Sequence, residues 1–241
     1  RMSVAANGAS LSTEDRHFVQ QLLKESQAYV TLRERLNFFS QRLQGRPYLS
    51  HPLIGSLAEP EQLVARMDGF DCVTYIETVL ALAQARDVES YLQRLRAWRY
   101  AGGEVSYVKR LHYTTNWHRV HVEQGWLKDL TAFEGSVART KILNRVPGVA
   151  PITETYRVYP RTKLNELMHR LQDGDLIYFG SPREGLDTYH VGMLFRVGDH
   201  LNGKWMMRHA ARRQGQVTEQ PLTEFFQQTP MSGFMLARPL G

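Results

Sequence analysis

The chain has 241 residues, of which 42% are hydrophobic and 22% charged; this composition is typical of a globular protein, and the length suits one large domain or a domain with a helical extension. Its net charge of +6 favours anionic partners, but no basic run is longer than Arg212-Arg213, which argues against a nucleic-acid groove. The single cysteine excludes an internal disulfide framework and a cysteine-rich zinc site, and no apolar run reaches the roughly 18 residues of a membrane-spanning helix.

The N-terminal part of the chain is predicted to be helical. Residues 11–45 carry apolar residues at helical spacings, and Ser12 or Thr13 can cap the first helix. A proline-containing loop follows, and Pro60 is expected to start a short helix over residues 61–67. We therefore expect a helical N-terminal extension, residues 1–58, followed by a compact main domain, residues 59–241.

The next stretch, from Gly69 to Ala83, contains the only cysteine. Asp71 is suited to cap a helix, and Gly69 permits a sharp entry turn before it. Cys72 is then predicted at the first helical position, where the helix dipole favours a thiolate over a thiol. The helix after Cys72 is apolar on nearly all sides, so we expect it to be buried and rigid.

Two interpretations of Cys72 stay open at this point. Most single cysteines are buried and have only a packing role. The position at a helix tip, the polar neighbours Asp71 and Thr74, and histidines far downstream favour a nucleophile instead. The negative charge of Asp71 opposes thiolate formation unless it is used in capping or in binding a substrate cation.

The middle of the chain has fewer signals. Asp87 or Glu89 is expected to start a second helix that ends near the glycine pair at 102–103. His118 and His121 have the spacing of one helical face, but no third ligand has a recognisable spacing, so we expect no metal site and no cofactor. Residues 126–172 are predicted to alternate between short helices and loops.

Four short apolar runs near the C-terminus predict the strands of one antiparallel sheet: residues 176–179, 189–196, 204–210 and 233–238. Asn202-Gly203 is a strong hairpin signal. Helices first and strands afterwards predict an α+β fold.

A pairing across that hairpin would bring His190 and His209 to the same edge of the sheet, with an irregular loop at residues 198–200 absorbing the unequal lengths. An imidazole in contact with a thiol can take its proton, and a second polar group can fix the tautomer of that imidazole. Cys72 as nucleophile, His190 as base and His209 as the orienting group would form such a triad.

The chain resembles, in four stretches, the NlpC-type, papain-like superfamily of bacterial cell-wall cysteine hydrolases, and within it the N-acetylmuramoyl-L-alanine amidase-like branch. The four stretches lie at residues 70–83, at residues 110–117, at His190-Val191-Gly192 and at residues 208–211. The resemblance covers roughly residues 60–240. It implies a papain-like α+β core with a cysteine-tipped central helix on an antiparallel sheet, and amide hydrolysis in peptidoglycan or its fragments.

The resemblance also implies site residues: Cys72 as nucleophile, His190 as base and His209 as third member. Asp71, Tyr113 and Trp117 are candidates for substrate contacts by their positions. Many superfamily members have Ser-Gly after the cysteine, whereas this chain has Val73-Thr74. That departure argues against cleavage after γ-D-glutamate and favours the amidase branch.

Three alternatives remain: a γ-D-glutamyl endopeptidase of the same superfamily, a non-catalytic basic module that binds wall polymers, and acyl transfer to or from lipids. The expected partners are peptidoglycan or muropeptides, and the expected location is the bacterial cell envelope. The first ten residues lack the apolar core of a signal peptide. Because Arg1 precedes Met2, we expect a processed or altered N-terminus, so this absence says little about the precursor.

Overall fold

The structure is a computed structural model that describes residues 2–4, 9–132, 134–199 and 201–241. These residues form two compact units. The first contains the described residues up to Leu111 together with Ala210–Thr218, and the second contains His112–His209 together with Glu219–Gly241. The predicted division at residue 58 stays a prediction. Within the described ranges, every helix is too short or too polar to cross a lipid bilayer.

The first unit combines a small sheet with four helices. In chain order its elements are β1 (Met2–Val4), β2 (Ala9–Ser12), α1 (Thr13–Ser26), α2 (Leu32–Arg42), β3 (Leu63–Val64), α3 (Cys72–Ala83) and α4 (Val88–Arg99). Strand β2 pairs antiparallel with β1 and parallel with β3. The helical prediction for residues 11–45 is confirmed, with Ser12 as the N-cap of α1. The short helix predicted over residues 61–67 is wrong, because the buried residues Leu63 and Val64 form strand β3, which pairs with β2.

Helix α3 lies at the centre of the first unit. All its residues from Thr74 to Ala83 are buried, which agrees with its apolar sequence. It packs against α2 and α4. The Tyr75 hydroxyl donates a hydrogen bond to the Ser40 carbonyl of α2 at 2.9 Å. Glu77 accepts a bond from Arg99 of α4 at 2.9 Å, and both of these side chains are only 2% exposed.

Gly69, two residues before the cap of α3, has a different role from the predicted one. Its φ is not positive, so no left-handed turn is required there. A Cβ at this position would lie 2.5 Å from the Leu49 side chain and 2.8 Å from the Pro47 carbonyl oxygen. Glycine is therefore needed for the close approach of residues 47–49 to the chain that leads into α3.

The C-terminal end of α3 is capped by a side chain from α2. The guanidinium of Arg35 donates to the carbonyls of Ala83 at 2.8 Å, Ala85 at 2.9 Å and Leu82 at 3.4 Å. It also donates to the Ser26 carbonyl at 3.2 Å. The last carbonyls of a helix have no partner within it, so this cation satisfies the Ala83 carbonyl, and it adds a second donor to the Leu82 carbonyl, which already accepts the Ala85 N–H.

Replacement of this cation should weaken the first unit. We expect Arg35→Met to lower the free energy of unfolding by about 2 kcal/mol, because hydrogen bonds from a charged donor contribute more than neutral ones and the Ala83 and Ala85 carbonyls lose this donor. Urea unfolding followed by circular dichroism measures this change. Arg33→Met, an exposed position on the same helix, is the matched control and should change it by less than about 0.5 kcal/mol. Equal effects of the two substitutions would contradict the capping role.

The second unit is built on a sheet. Its elements are α5 (Thr114–Glu123), β4 (Leu127–Asp129), β5 (Val137–Leu143), β6 (Ile152–Val158), α6 (Leu164–Leu167), β7 (Asp175–Gly180), β8 (Thr188–Val197), β9 (Lys204–Ala211), β10 (Gln216–Pro221), α7 (Leu222–Gln228) and β11 (Phe234–Pro239). The ends of β9 and β10 belong to the segment Ala210–Thr218, which is grouped with the first unit. Six strands form one sheet in the order β10-β9-β8-β7-β11-β4.

The four predicted strands are confirmed as β7, β8, β9 and β11, so the mixed α+β fold with an antiparallel sheet is observed. Strand β7 is buried along its whole length, which explains its continuous apolar run. The loop predicted at residues 198–200 joins β8 to β9, but His200 lies outside the described residues.

The prediction for residues 126–172 is partly wrong. Residues 137–143 and 152–158 are the paired strands β5 and β6, whereas α6 is the short helix expected there. Most of β5 is exposed or half-buried, so its sequence lacks the apolar alternation by which strands are recognised. The hairpin is held by pairing along its whole length, from Val137 opposite Val158 to Leu143 opposite Ile152.

One lysine of β5 anchors the turn that precedes β8. Lys141 Nζ donates to the carbonyls of Ser181 at 2.8 Å, Arg183 at 3.0 Å and Leu186 at 2.8 Å. Next to it, Asp187 accepts bonds from the backbone N–H and the hydroxyl of Thr115, at 2.8 and 2.5 Å. The start of β8 is thus fixed by polar contacts on two sides.

Candidate active site

Cys72 is the first residue of α3, and it is half-buried. Asp71 caps this helix through a reciprocal pair of hydrogen bonds. Its carboxylate accepts the backbone N–H of Thr74 at 2.8 Å, and the Thr74 hydroxyl accepts the backbone N–H of Asp71 at 3.0 Å. The carboxylate is therefore engaged in capping. This is one of the two uses of its charge that would weaken its opposition to a thiolate at Cys72. Contact of Asp71 with a substrate stays a prediction.

Tyr48 lies within electrostatic reach of this helix start. Burial raises the pKa of its phenol, and the negative charges of Cys72 and Asp71 raise it further, whereas Arg212 lowers it. The backbone around Tyr48 pairs with residue 70: Tyr48 bridges to Phe70, and Leu49 N–H donates to the Phe70 carbonyl at 2.9 Å. A protonated phenol thus lies within electrostatic reach of the thiol, and the guanidinium of Arg212 acts on that phenol.

The second unit brings His190 and His209 together. Nε2 of His190 lies 2.7 Å from Nδ1 of His209, and the two rings meet edge to face with centroids 4.8 Å apart. The strands explain this contact: in the β8–β9 register Met193 lies opposite Arg208, so His209 follows one step further along the pair. The predicted meeting of these two histidines across the hairpin is observed.

Glycine at position 192 permits this part of the strand pair to pack closely. A Cβ there would lie 2.5 Å from Cγ and 2.6 Å from Sδ of Met207. A larger residue between His190 and Met193 would therefore push β9 side chains away from β8. This packing explains the glycine of the His-Val-Gly sequence.

Aromatic rings enclose the histidine pair. Phe225 of α7 stacks on His190 with centroids 5.4 Å apart, and Phe179 of β7 stacks on it with centroids 6.0 Å apart. Burial lowers the pKa of His190 to about 3, with a further contribution from His209, and burial lowers the pKa of His209 to about 4. His190 is half-buried, and His209 is 2% exposed. Both rings are therefore unprotonated at neutral pH.

A third polar side chain completes this group. Nε2 of His209 lies 2.8 Å from Oε1 of Gln220, a 6% exposed residue of β10. Sequence reasoning missed Gln220, because β10 was not predicted. The sequence feature that could have indicated β10 is Gly215, shortly after the strand of His209. In the structure this glycine ends a tight turn with a φ of 73°.

The other predicted site residues are internal. The Tyr113 hydroxyl accepts the backbone N–H groups of Arg145 and Val146 at 2.8 and 3.1 Å, and the ring is 3% exposed. Trp117 is also 3% exposed and meets Tyr178 edge to face. These contacts give both side chains a structural role, and substrate binding by either stays a prediction.

His118 and His121 of α5 are structural as well. His118 Nδ1 lies 3.1 Å from the Tyr178 hydroxyl, and its Nε2 lies 3.5 Å from Asp129. His121 stacks on Trp126 with centroids 5.6 Å apart. Among the residues with described positions, no group of three or more His, Cys, Asp and Glu side chains could hold a metal ion.

Solved structures of two other proteins are similar to this chain. A crystal structure of a Legionella pneumophila protein superposes with a TM-score of 0.84 at 22% identity, covering 99% of this chain and 97% of that chain. A crystal structure of an N-acetylmuramoyl-L-alanine amidase from Bacteroides uniformis has a TM-score of 0.75 at 22% identity, covering 87% of this chain and 99% of that chain. At this identity the likeness shows the fold alone. No curated protein has a significantly similar sequence.

The family comparison covers most of the chain. The model of the AmiA-like family, described as N-acetylmuramoyl-L-alanine amidase-like, matches residues 38–234. This span contains Cys72, His190, His209 and Gln220. The chain belongs to the AmiA-like, N-acetylmuramoyl-L-alanine amidase-like family.

Proposed function

We propose that this protein is a cysteine amidase that hydrolyses the amide between N-acetylmuramic acid and L-alanine in peptidoglycan or muropeptide fragments. The observation that carries the proposal is the imidazole pair His190–His209, unprotonated at neutral pH, in a chain whose only thiol lies at a helix start. Membership of an amidase-like family indicates hydrolase activity. The dependence on cysteine and the papain-like arrangement are part of the proposal.

The reaction begins with the thiol of Cys72. His190 accepts its proton, and the sulfur attacks the lactyl carbonyl that joins muramic acid to L-alanine. The backbone N–H groups in the first turn of α3 have no carbonyl acceptor within the helix, and only that of Thr74 is bonded by the capping carboxylate. The helix dipole also favours negative charge at this end. The N–H groups of this turn stabilise the oxyanion of the tetrahedral intermediate.

The second half of the reaction returns the proton. The protonated His190 donates it to the departing amine of L-alanine, so that the C–N bond breaks and a thioester remains on Cys72. Water, deprotonated by His190, then attacks this thioester and releases the muramic acid carboxylate and the free thiol. His209 holds His190 in one tautomer throughout.

The substrate class agrees with the charge of the chain. A net charge of +6 favours a carboxylate-rich polymer such as the bacterial cell wall. Such a substrate places the protein in the cell envelope, either in the periplasm or outside the cell.

Analysis of products on a defined muropeptide tests the proposal. N-acetylmuramoyl-L-alanyl-γ-D-glutamyl-diaminopimelate is incubated with the protein and the products are identified by mass spectrometry. We expect N-acetylmuramic acid and an intact tripeptide with a free L-alanine N-terminus. Release of diaminopimelate alone would identify a γ-D-glutamyl endopeptidase instead, and no cleavage would favour a binding module.

The same assay tests the nucleophile. We expect Cys72→Ala to lower the rate of cleavage by roughly 10³-fold or more, because the covalent route is lost. Thermal unfolding of the variant serves as the fold control, since a half-buried thiol is a small loss of packing. A folded Cys72→Ala protein with undiminished amidase activity would exclude the cysteine mechanism.

A further inference from the structure

We propose that Gln220 and Glu224 are positioning residues that set the tautomer of the His190–His209 pair through a directed chain of hydrogen bonds. The inference rests on the proposed function, in which His190 is the base. It adds two residues on the far side of His209 from His190. Both belong to the second unit, as do the histidines they would orient.

The chain begins at a carboxylate. Oε1 of Glu224, on α7, accepts a hydrogen bond from Nε2 of Gln220 at 3.3 Å. Only the amide nitrogen can donate here, because an ionised carboxylate accepts and never donates. If the Gln220 amide were turned over, its oxygen would face the oxygen of Glu224, and two acceptors would repel. Glu224 therefore fixes which end of the amide faces His209.

The amide in turn fixes the ring of His209. With its oxygen 2.8 Å from Nε2 of His209, Gln220 can only accept, so the hydrogen of the neutral ring must be on Nε2. The Nδ1 atom of His209 is then a lone-pair acceptor. It lies 2.7 Å from Nε2 of His190, which must supply the hydrogen.

His190 receives the result. With its hydrogen on Nε2, the neutral ring has its lone pair on Nδ1, and this is the nitrogen that can take a proton from a thiol. The order of donors is His190, His209, Gln220 and Glu224, and it assigns one tautomer to each ring. When His190 is protonated during the reaction, the same acceptors remain in place to stabilise it.

Burial prevents water from replacing the hydrogen bonds in the middle of this chain. Gln220 is 6% exposed and His209 is 2% exposed, so neither can exchange its partner for bulk water without opening the structure. Glu224 is exposed and stays hydrated. The chain thus runs from a charge in solvent to a ring at the candidate site.

Variants of Gln220 test the inference in two ways. We expect Gln220→Leu to lower kcat by roughly 10- to 100-fold with KM changed by less than about 2-fold, the size usual for loss of a group that orients a reacting residue. In the same protein, ¹⁵N NMR of the imidazole nitrogens should show both tautomers of His209, whereas we expect only the Nε2–H form in the wild type. Wild-type kcat together with an unchanged spectrum would overturn the inference.

A reciprocal variant separates orientation from packing. Gln220→Glu combined with Glu224→Gln keeps an acceptor for His209 and a donor behind it, so kcat and the tautomer should return to near wild-type values. Failure of this folded variant to restore either would overturn the directed chain. Should Gln220→Leu not fold, Glu224→Ala provides the same NMR test, with Gln227→Ala on the exposed face of α7 as its matched control.

The NMR readout also separates this inference from the proposed function. The tautomer of His209 is read without substrate and does not depend on the role of Cys72. If Cys72→Ala retains activity, the proposed function falls while the tautomer result stands. If Cys72→Ala is inactive and the tautomers ignore Gln220, the function stands and the positioning role falls.

Discussion

Replacement of His190 by alanine should lower kcat for muropeptide cleavage by roughly 10²- to 10⁴-fold, which is the usual contribution of a general acid and base. The ring is unprotonated at neutral pH because burial lowers its pKa, so the wild type has a proton acceptor and the variant has none. In the proposed mechanism the departing amine also loses its proton donor. Both half-reactions are therefore slowed.

The measurement is steady-state kinetics on the defined muropeptide, with thermal unfolding of each variant. His169→Ala, an exposed histidine of the same unit, is the matched control and should leave kcat unchanged. His209→Ala should have a smaller effect than His190→Ala, because in the proposed mechanism His209 acts only through its contact with His190. The opposite ranking would mean that the roles of the two rings have been exchanged.

The largest expected effect on stability comes from the buried ion pair between α3 and α4. Burial lowers the pKa of Arg99, but the Glu77 carboxylate offsets this and raises it overall. The guanidinium also donates to the Val64 carbonyl at 2.6 Å. We expect Glu77→Gln to lower the free energy of unfolding by about 3–5 kcal/mol, because it leaves a buried cation without its counter-charge.

Urea unfolding at neutral pH tests this expectation. The double variant Glu77→Gln, Arg99→Met should be more stable than the sum of the two single changes, since it leaves no unpaired charge. Asp68→Asn provides the surface control: Asp68 pairs with Arg66, but its side chain is 56% exposed, and exposed pairs contribute at most about 1 kcal/mol. A loss below about 1 kcal/mol for Glu77→Gln would show that water relieves the buried charge.

The start of α3 was predictable from the sequence because its signals are local. Thr74 follows Asp71 by three residues, and this spacing allows the two reciprocal hydrogen bonds that cap the helix. The strands β7, β8, β9 and β11 were predictable because their apolar runs are buried on the sheet. The β5–β6 hairpin was not, because most of β5 is exposed or half-buried, and such a strand is specified by its pairing and not by apolar alternation.

The candidate site was predictable only in part for a related reason. That His190 and His209 meet follows from one hairpin, whereas Gln220 joins them through a further strand whose pairing a single sequence does not reveal. Tyr113 is a residue for which the sequence suggested a contact with substrate and the structure shows an internal contact. A tyrosine beside polar residues suggests a binding groove, yet its hydroxyl accepts two backbone N–H groups inside the protein. Where a polar tip finds its partner depends on tertiary structure.

The three hydrogen bonds of Lys141 limit which residues can replace it. Its ammonium group has three hydrogens that diverge like the legs of a tripod, and each meets a different carbonyl of the turn before β8. Arginine is the usual conservative replacement for lysine, but its flat fork cannot reproduce this geometry. Similarity scores that treat the two cations as equivalent will therefore misjudge this position, where shape, and not charge alone, decides whether a residue fits.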